Sequence, residues 1–298
     1  MNASYPYSNY NINSQGSNIQ FISQNNSYLY AWLQNINTTT ITIWIKNFNS
    51  SNTINMQVFP EFDNLLSASG YLGEAPQLSS AYGTYFNANK VFPYASDFNG
   101  TSLPSFFKVS SNVTNFTINN GIKYFMGNTN GAGIYIPING SGYALAVYGS
   151  YPSVQIRTGF TSLTGTYISE MSIENWTQND KMLLFNTNIT NANSILYQSG
   201  LNPLVSRLYE IQQSNGQVSY SINGTEYYFP HTEYNYPLYP NVLYGSSSGK
   251  VNINYFYLRY NITMPTFTIE LNIYNVNIKS FDKQSNPIHN YFFYRCSF

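Results

Sequence analysis

Charge is what this sequence has least of. Charged residues make up 8% of the 298-residue chain, against roughly 25% in an average soluble domain. Twelve basic residues balance twelve acidic ones, so there is no basic footprint for nucleic acid and no polybasic patch for a membrane surface. The polar surface has to be built from Asn, Ser, Thr, Gln and Tyr. Such a surface hydrates alike at any pH, whereas in acid a carboxylate-rich surface loses one sign of charge and the remaining cations repel. The balance points to an acidic exterior, and a stability curve that collapses below about pH 4 would count against it.

Other absences narrow the field further. The single Cys296 excludes an internal disulfide framework. No apolar run reaches membrane-spanning length, so no membrane span is expected. The opening "MNASYPYSNY" has neither the basic region nor the apolar core of a secretory signal. An exterior protein without a signal reads as a mature product, an excised fragment or a component carried on a virus particle. The two histidines, His231 and His289, sit in different regions. No H-E-x-x-H, Cys–His, Gly-x-Ser-x-Gly, P-loop or dinucleotide spelling occurs. No cofactor is expected; calcium among Asp97, Asn99 and nearby carbonyls is the one alternative, though no dense Asp/Asn loop is spelled.

What the chain does have is alternation. "TTTITIWIKNF" places Ile41, Ile43 and Ile45 on one face and Thr40, Thr42 and Trp44 on the other, the period of a strand with one face in a core. Similar short segments recur along the chain, separated by Asn-Gly, Gly-Ser, Ser-Gly and Pro pairs at about 8–12-residue spacing, the signature of antiparallel sandwiches. Helix formers are sparse beside β-branched and aromatic residues. "NPLVSRLYEIQQSNG" is the best helical candidate. Extended to "SRLYEIQQSNGQVSYSINGTEYYF", it reads better as three strands joined by hairpins at Asn215-Gly216 and Asn223-Gly224. The expected fold is all-β, two antiparallel β-sandwich units.

Residues 17 to 104 carry a resemblance. "GSNIQFISQNNSYLYAWLQNINTTTITIWIKNFNSSNTINMQVF" resembles a module common in archaeal surface proteins, domain-of-unknown-function family 2341. Phe21, Trp32, Trp44, Lys46, Met56 and Phe59 occupy its marked places. "GEAPQLSSAYGTYFNANKVFPYASDFNGTSL" is similar to the family's exit segment, with Phe86 where Asp is usual. In the family that segment leads into a concanavalin A-like, laminin-G-like jelly roll, and the resemblance implies one here. The expected organisation is residues 1–90 as a small β-sandwich module lacking its first strand. A jelly roll comes next at 91–270, then a C-terminal strand or aromatic tail at 271–298, with Tyr291, Phe292, Phe293 and Tyr294 packing on the body or a partner. The stretch from Gly73 to Pro104 is a joint.

Thirty tyrosines offer flat apolar faces with polar tips, suited either to half-buried strand positions or to sugar stacking. The densest patch, residues 225 to 245, reads as a long rim loop. It places a candidate glycan-binding surface at Tyr234, Tyr236, Tyr239 and Tyr244 with His231 beside them. Asn-x-Ser/Thr triplets at turns mark Asn49, Asn99, Asn139 and Asn223 as candidate glycosylation sites. "SEMSIENW" sets Glu170 and Glu174 on one face of a strand. Sandwich-fold glucanases use an E-x-D-x-x-E strand in this way, but Ser172 stands where the central Asp would be. No catalytic residue is therefore expected. The expected function is a non-enzymatic exterior protein of a thermoacidophilic archaeon or its virus, used in attachment, glycan binding or as a surface or virion component. Glycans, cell-surface glycoproteins and other surface or virion subunits are its expected partners. The alternative is a glycoside hydrolase on the concanavalin A-like fold.

Overall fold

The computed structural model describes residues 11–37, 40–47, 53–127, 132–153, 155–162, 170–177, 181–188, 191–198, 201–214, 217–230, 237–245, 248–261, 266–272, 275–281 and 292–297. Nearly all its regular structure is strand, as alternation predicts; the described helices are the single turns Pro76–Leu78 and Ala88–Val91. The chain forms two compact units. One comprises Met1–Tyr94 together with Ile262–Phe298, and the other Ala95–Asn261.

The first unit holds two sheets. A five-stranded sheet runs Tyr28–Leu29, Ile19–Ser23, Thr53–Val58, Asn275–Phe281, Thr266–Asn272 in spatial order. A four-stranded sheet runs Phe292–Ser297, Ile41–Asn47, Ala31–Ile36, Leu72–Glu74, with the last pair parallel. The expected boundary at 270 is corrected: the second unit ends at Asn261, and three strands after it, Thr266–Asn272, Asn275–Phe281 and Phe292–Ser297, belong to the first unit. Tyr291 lies outside the described residues, as do the side chains of Phe292, Phe293 and Tyr294.

Ile41, Ile43 and Ile45 sit in a core with Ile19, Phe21, Leu33, Ile54 and Met56, where their period of two directs them. Trp44 does not face solvent as simple alternation suggests. Trp32 and Trp44 are fully buried, with Phe92 edge-on to both at 5.7 and 5.5 Å. Phe86 meets Trp32 edge-on at 6.5 Å, and Trp44 Nε1 donates to Gln34 Oε1 at 2.9 Å. The punctuated segment after Glu74 thus covers the second face of the strand. Gly73 is required there, because a Cβ would collide with the Asn87 carboxamide, which donates to the Ala31 carbonyl at 3.3 Å.

The second unit is a two-sheet sandwich. An eight-stranded sheet runs Thr225–Pro230, Gln217–Ile222, Arg207–Ser214, Tyr143–Ser150, Ser248–Tyr260, Ile122–Gly127, Val113–Ile118, with Tyr94–Ser96 paired beside them on Ser248–Tyr260. A seven-stranded sheet runs Asn191–Gln198, Lys181–Asn188, Glu170–Thr177, Ile156–Thr161, Tyr239–Gly245, Gly133–Tyr135, Lys108–Val109. Arg207–Ser214, Gln217–Ile222 and Thr225–Pro230 are three strands, as the hairpin reading expects, and Asn215-Gly216 lies outside the described residues. Asn223 and Gly224 both adopt positive φ, 49° and 86°, the type I′ geometry that Asn-Gly favours. Buried Leu145, Val147, Ile211, Phe256 and Leu258 on one sheet and Ile134, Ile173, Leu184 and Leu243 on the other form the interior. There the Tyr151 and Tyr209 rings meet edge-to-face at 5.4 Å. Phe98, Phe106 and Phe107 gather on Phe256, at ring distances of 6.0, 6.1 and 5.0 Å, so the joint's aromatic residues seat on this unit's longest strand.

Candidate functional site

The eight-stranded sheet turns its apolar residues inward, and its other face is built differently. Directly opposed residues of an antiparallel sheet share a face, so register alone lays out rows across it. One row reads Tyr257, Ala146, Glu210, Ser221, Glu226. The next reads Arg259, Ala144, Gln212, Ser219, Tyr228. On the other side of the Glu210 row lie Tyr255, Tyr148 and Leu208. Small residues thus form a floor between long polar ones.

Two side-chain bridges cross that floor. The Tyr257 hydroxyl donates to Glu210 Oε1 at 3.1 Å above Ala146. Arg259 Nη2 donates to Gln212 Oε1 at 2.8 Å above Ala144. Tyr148 and Tyr255 stack at 5.3 Å with an interplanar angle of 4°, and burial raises the Tyr148 hydroxyl above its ordinary range. Further along the same face Lys123 Nζ donates to Asn252 Oδ1 at 2.6 Å. Burial lowers the Lys123 ammonium from its usual value.

Exposure is graded across the face. Glu210 is 7% exposed and Ser221 5%, whereas Glu226 is exposed and Tyr228 is 62% exposed. The arrangement is a recessed polar floor holding one carboxyl, with a second carboxyl and an aromatic ring more open to solvent on the edge strand. Glu210 and Glu226 are separated by two strand spacings, about 9–10 Å between backbones.

The residues expected from sequence fall elsewhere. Residues 225–245 are not one rim loop: Thr225–Pro230 and Tyr239–Gly245 are strands of different sheets. Alternation carries the Tyr-rich run into each sheet, and the Tyr220–Phe229 edge contact at 5.5 Å ties the first strand down. His231, Tyr234 and Tyr236 lie outside the described residues. Tyr239 is half-buried, its ring edge-on to Tyr135 at 6.0 Å. Tyr244 is fully buried, with the Arg157 guanidinium 5.9 Å over its ring, so it cannot serve as an exposed stacking platform. Asn99, Asn139 and Asn223 are at least partly exposed, and Asn49 lies outside the described residues.

Glu170 and Glu174 do share one face of Glu170–Thr177, opposite Thr161 and Arg157 in register; their side chains lie outside the described residues. Ser172 between them is 0% exposed. The carboxyl of Asp97 accepts from Asn99 N at 3.1 Å, and burial raises it above its ordinary range. Among the described residues no three His, Cys, Asp or Glu side chains come together as a metal site. No described helix is long and apolar enough to cross a membrane.

Sequence reasoning missed Glu210 and Glu226 because their partnership is made by strand pairing. A readable signal was present in the small residues of "YALAVYG" and "QVSYSIN", which alternate with large ones at the strand period.

No family model matches the chain, and no curated protein does. Solved structures do. One is from work on endo-acting O-glycanases of human gut microbiota that initiate mucin breakdown, with TM-score 0.44 and 11% identity over 57% of this chain and 99% of the other. A β-1,3-glucanase from Mycobacterium marinum gives 0.43 and 10%, over 56% and 98%. A pseudo β-1,3-glucanase of Mycobacterium tuberculosis gives 0.43 and 11%, over 58% and 100%. The expectation of a chain without enzymatic activity is corrected: these matches, mostly named as glycan-cleaving enzymes, stand against it. At these scores the likeness concerns the fold: all-β, antiparallel, with a concanavalin A-like jelly roll.

Proposed function

We propose that the second unit is a glycoside hydrolase whose glycan lies across the recessed face of the eight-stranded sheet. The observation that carries this reading is Glu210, set into a floor of Ala and Ser and held by Tyr257, with Glu226 in the same row. Glycoside hydrolysis needs two carboxyl groups flanking the scissile bond, about 6.5–9.5 Å apart when a water must fit between them. Backbones about 9–10 Å apart allow that separation for side chains on one face.

Glu210, recessed and fixed by its hydrogen bond, is the proton donor to the glycosidic oxygen. Glu226, open to water, takes a proton from the water that attacks the anomeric carbon from the opposite side. The C–O bond to the leaving sugar breaks as the new C–O bond forms, and the product has inverted configuration. Tyr228 and the half-buried Tyr148 supply rings along the face, while Gln212 and Asn252 supply amides for hydroxyls. A glycan substrate and a surface hydrated without charge fit work outside the cell.

A panel of polysaccharides and mucin-type glycans tests this. Glu210→Gln and Glu226→Gln should each abolish a hydrolysis that the intact chain performs, and NMR of the first product should show the inverted anomer. Hydrolysis that survives both substitutions, or a panel left untouched by the intact chain, overturns the proposal.

A further inference from the structure

The first unit carries an aromatic surface that owes nothing to the Glu210 face. Tyr28 and Tyr30 are two apart across Tyr28–Leu29 and its exit, so they share a side of the chain. The ring of Tyr71 stands between them, 5.3 Å from Tyr28 and 4.9 Å from Tyr30, at tilts of 43° and 30°. Tyr28 is 49% exposed and Tyr71 39%. The backbone beneath is fixed: Ala31 N donates to the Tyr71 carbonyl at 2.7 Å and Lys46 N to the Tyr30 carbonyl at 2.8 Å. Ser67 Oγ accepts from Ser69 N and Gly70 N, at 3.3 and 3.1 Å, and holds the turn that presents Tyr71.

Three features define what such a surface takes. It is rigid, so a flat ligand loses little on meeting it. Among the described residues, none hydrogen-bonds the three tyrosine hydroxyls, which leaves donors and acceptors at the tips of the rings. The segments that present them, residues 24–34 and 64–73, contain no charged residue, and their other polar groups are Asn, Gln and Ser. Apolar ring faces rimmed by hydroxyls and amides match the faces and edges of a neutral hexose. A carboxylated or sulfated sugar would call for an exposed cation: these segments hold none, and Lys46, opposite Tyr30, is half-buried, with burial lowering its ammonium.

We propose that Tyr28, Tyr71 and Tyr30 form a second glycan-binding site, specific for neutral polysaccharide and separate from the hydrolytic face. Its function is retention: it keeps the chain on a polymer while the other unit acts.

Affinity electrophoresis of the intact chain in gels holding laminarin, mannan or polygalacturonate measures this directly. Laminarin or mannan should retard the chain and polygalacturonate should not. Tyr71→Ala and Tyr28→Ala should each weaken retardation about five- to tenfold, with the melting temperature nearly unchanged. Tyr71→Phe keeps the ring face and should retain most of the binding. Glu210→Gln separates this site from the hydrolytic reading, because it should bind the polymer as the intact chain does. Retardation that Tyr28→Ala leaves unaltered, retardation by polygalacturonate alone, or capture of a proline-rich peptide in place of either neutral polymer overturns the proposal.

Discussion

Tyr257 and Glu210 hydrogen-bond at 3.1 Å across the strand that lies between them, over the methyl group of Ala146. The bridge exists because the intervening residue is small. Ala146→Leu should lift the two side chains apart, lowering hydrolysis about 100-fold or more at a stability cost of about 1–3 kcal/mol. Ala146→Gly should keep the bridge and most of the activity. Initial rates and denaturant midpoints on the two variants check this, and an active Leu variant would refute the assigned role of the bridge.

Glu74 is buried, and burial raises its carboxyl above the ordinary range. A carboxyl with a raised folded-state value binds its proton more tightly when folded, so stability is present below the unfolded value and falls as pH rises through the folded one. Asp97, in the second unit, acts in the same sense. By this contribution the first unit should be more stable near pH 4 than near pH 7. Glu74→Gln should raise the melting temperature at pH 7 with little change at pH 4. Equal shifts at both pH values would contradict this.

At the alkaline end Tyr209 acts in the same direction. Burial pushes its hydroxyl up to about 12, while the unfolded chain ionises near 10. Stability should fall as pH rises from about 10 to 12. Tyr209→Phe should remove part of that slope and be neutral or stabilising at neutral pH, because the buried hydroxyl makes no hydrogen bond among the described residues. Alkaline unfolding followed by circular dichroism reads the difference; identical curves would show that Tyr209 does not set the slope.

The contact of Gly73 with Asn87 predicts that Gly73→Ala costs about 1–3 kcal/mol, seen as a lower melting temperature. Pairing it with Asn87→Gly should not restore the loss, since the added methyl still meets the Tyr85 carbonyl oxygen at 2.6 Å and the bond from Asn87 to the Ala31 carbonyl is gone. A single variant that melts with the intact chain would mean the carboxamide moves aside freely.

Alternation made the strands legible, and Asn223-Gly224 marked a hairpin that the structure contains. The buried second face of Ile41–Asn47 was hidden because its cover includes Phe92, in a segment whose Gly and Pro residues read only as punctuation. Tyr244 shows the same limit in reverse: a tyrosine in an aromatic run carries no mark of which side of a sheet it will occupy. The Glu210 row was out of reach because it is assembled from five strands, and no local window contains it.

The pairing of Thr53–Val58 with Asn275–Phe281 sets an order of assembly. Ile41–Asn47 likewise waits for Phe292–Ser297, so on the ribosome both strands emerge long before their partners. Meanwhile they expose unpaired edges of the kind that recruit other chains. The second unit shortens that wait in space though not in time. Its incoming strand Tyr94–Ser96 pairs with its outgoing strand Ser248–Tyr260, so once folded it returns the chain close to where it left. Closing the first unit then resembles closing a short loop, and the entropy that would oppose so distant a pairing has already been lost in forming the jelly roll. A chain cut after Asn261 should fold its second unit and leave the first unable to complete its sheets.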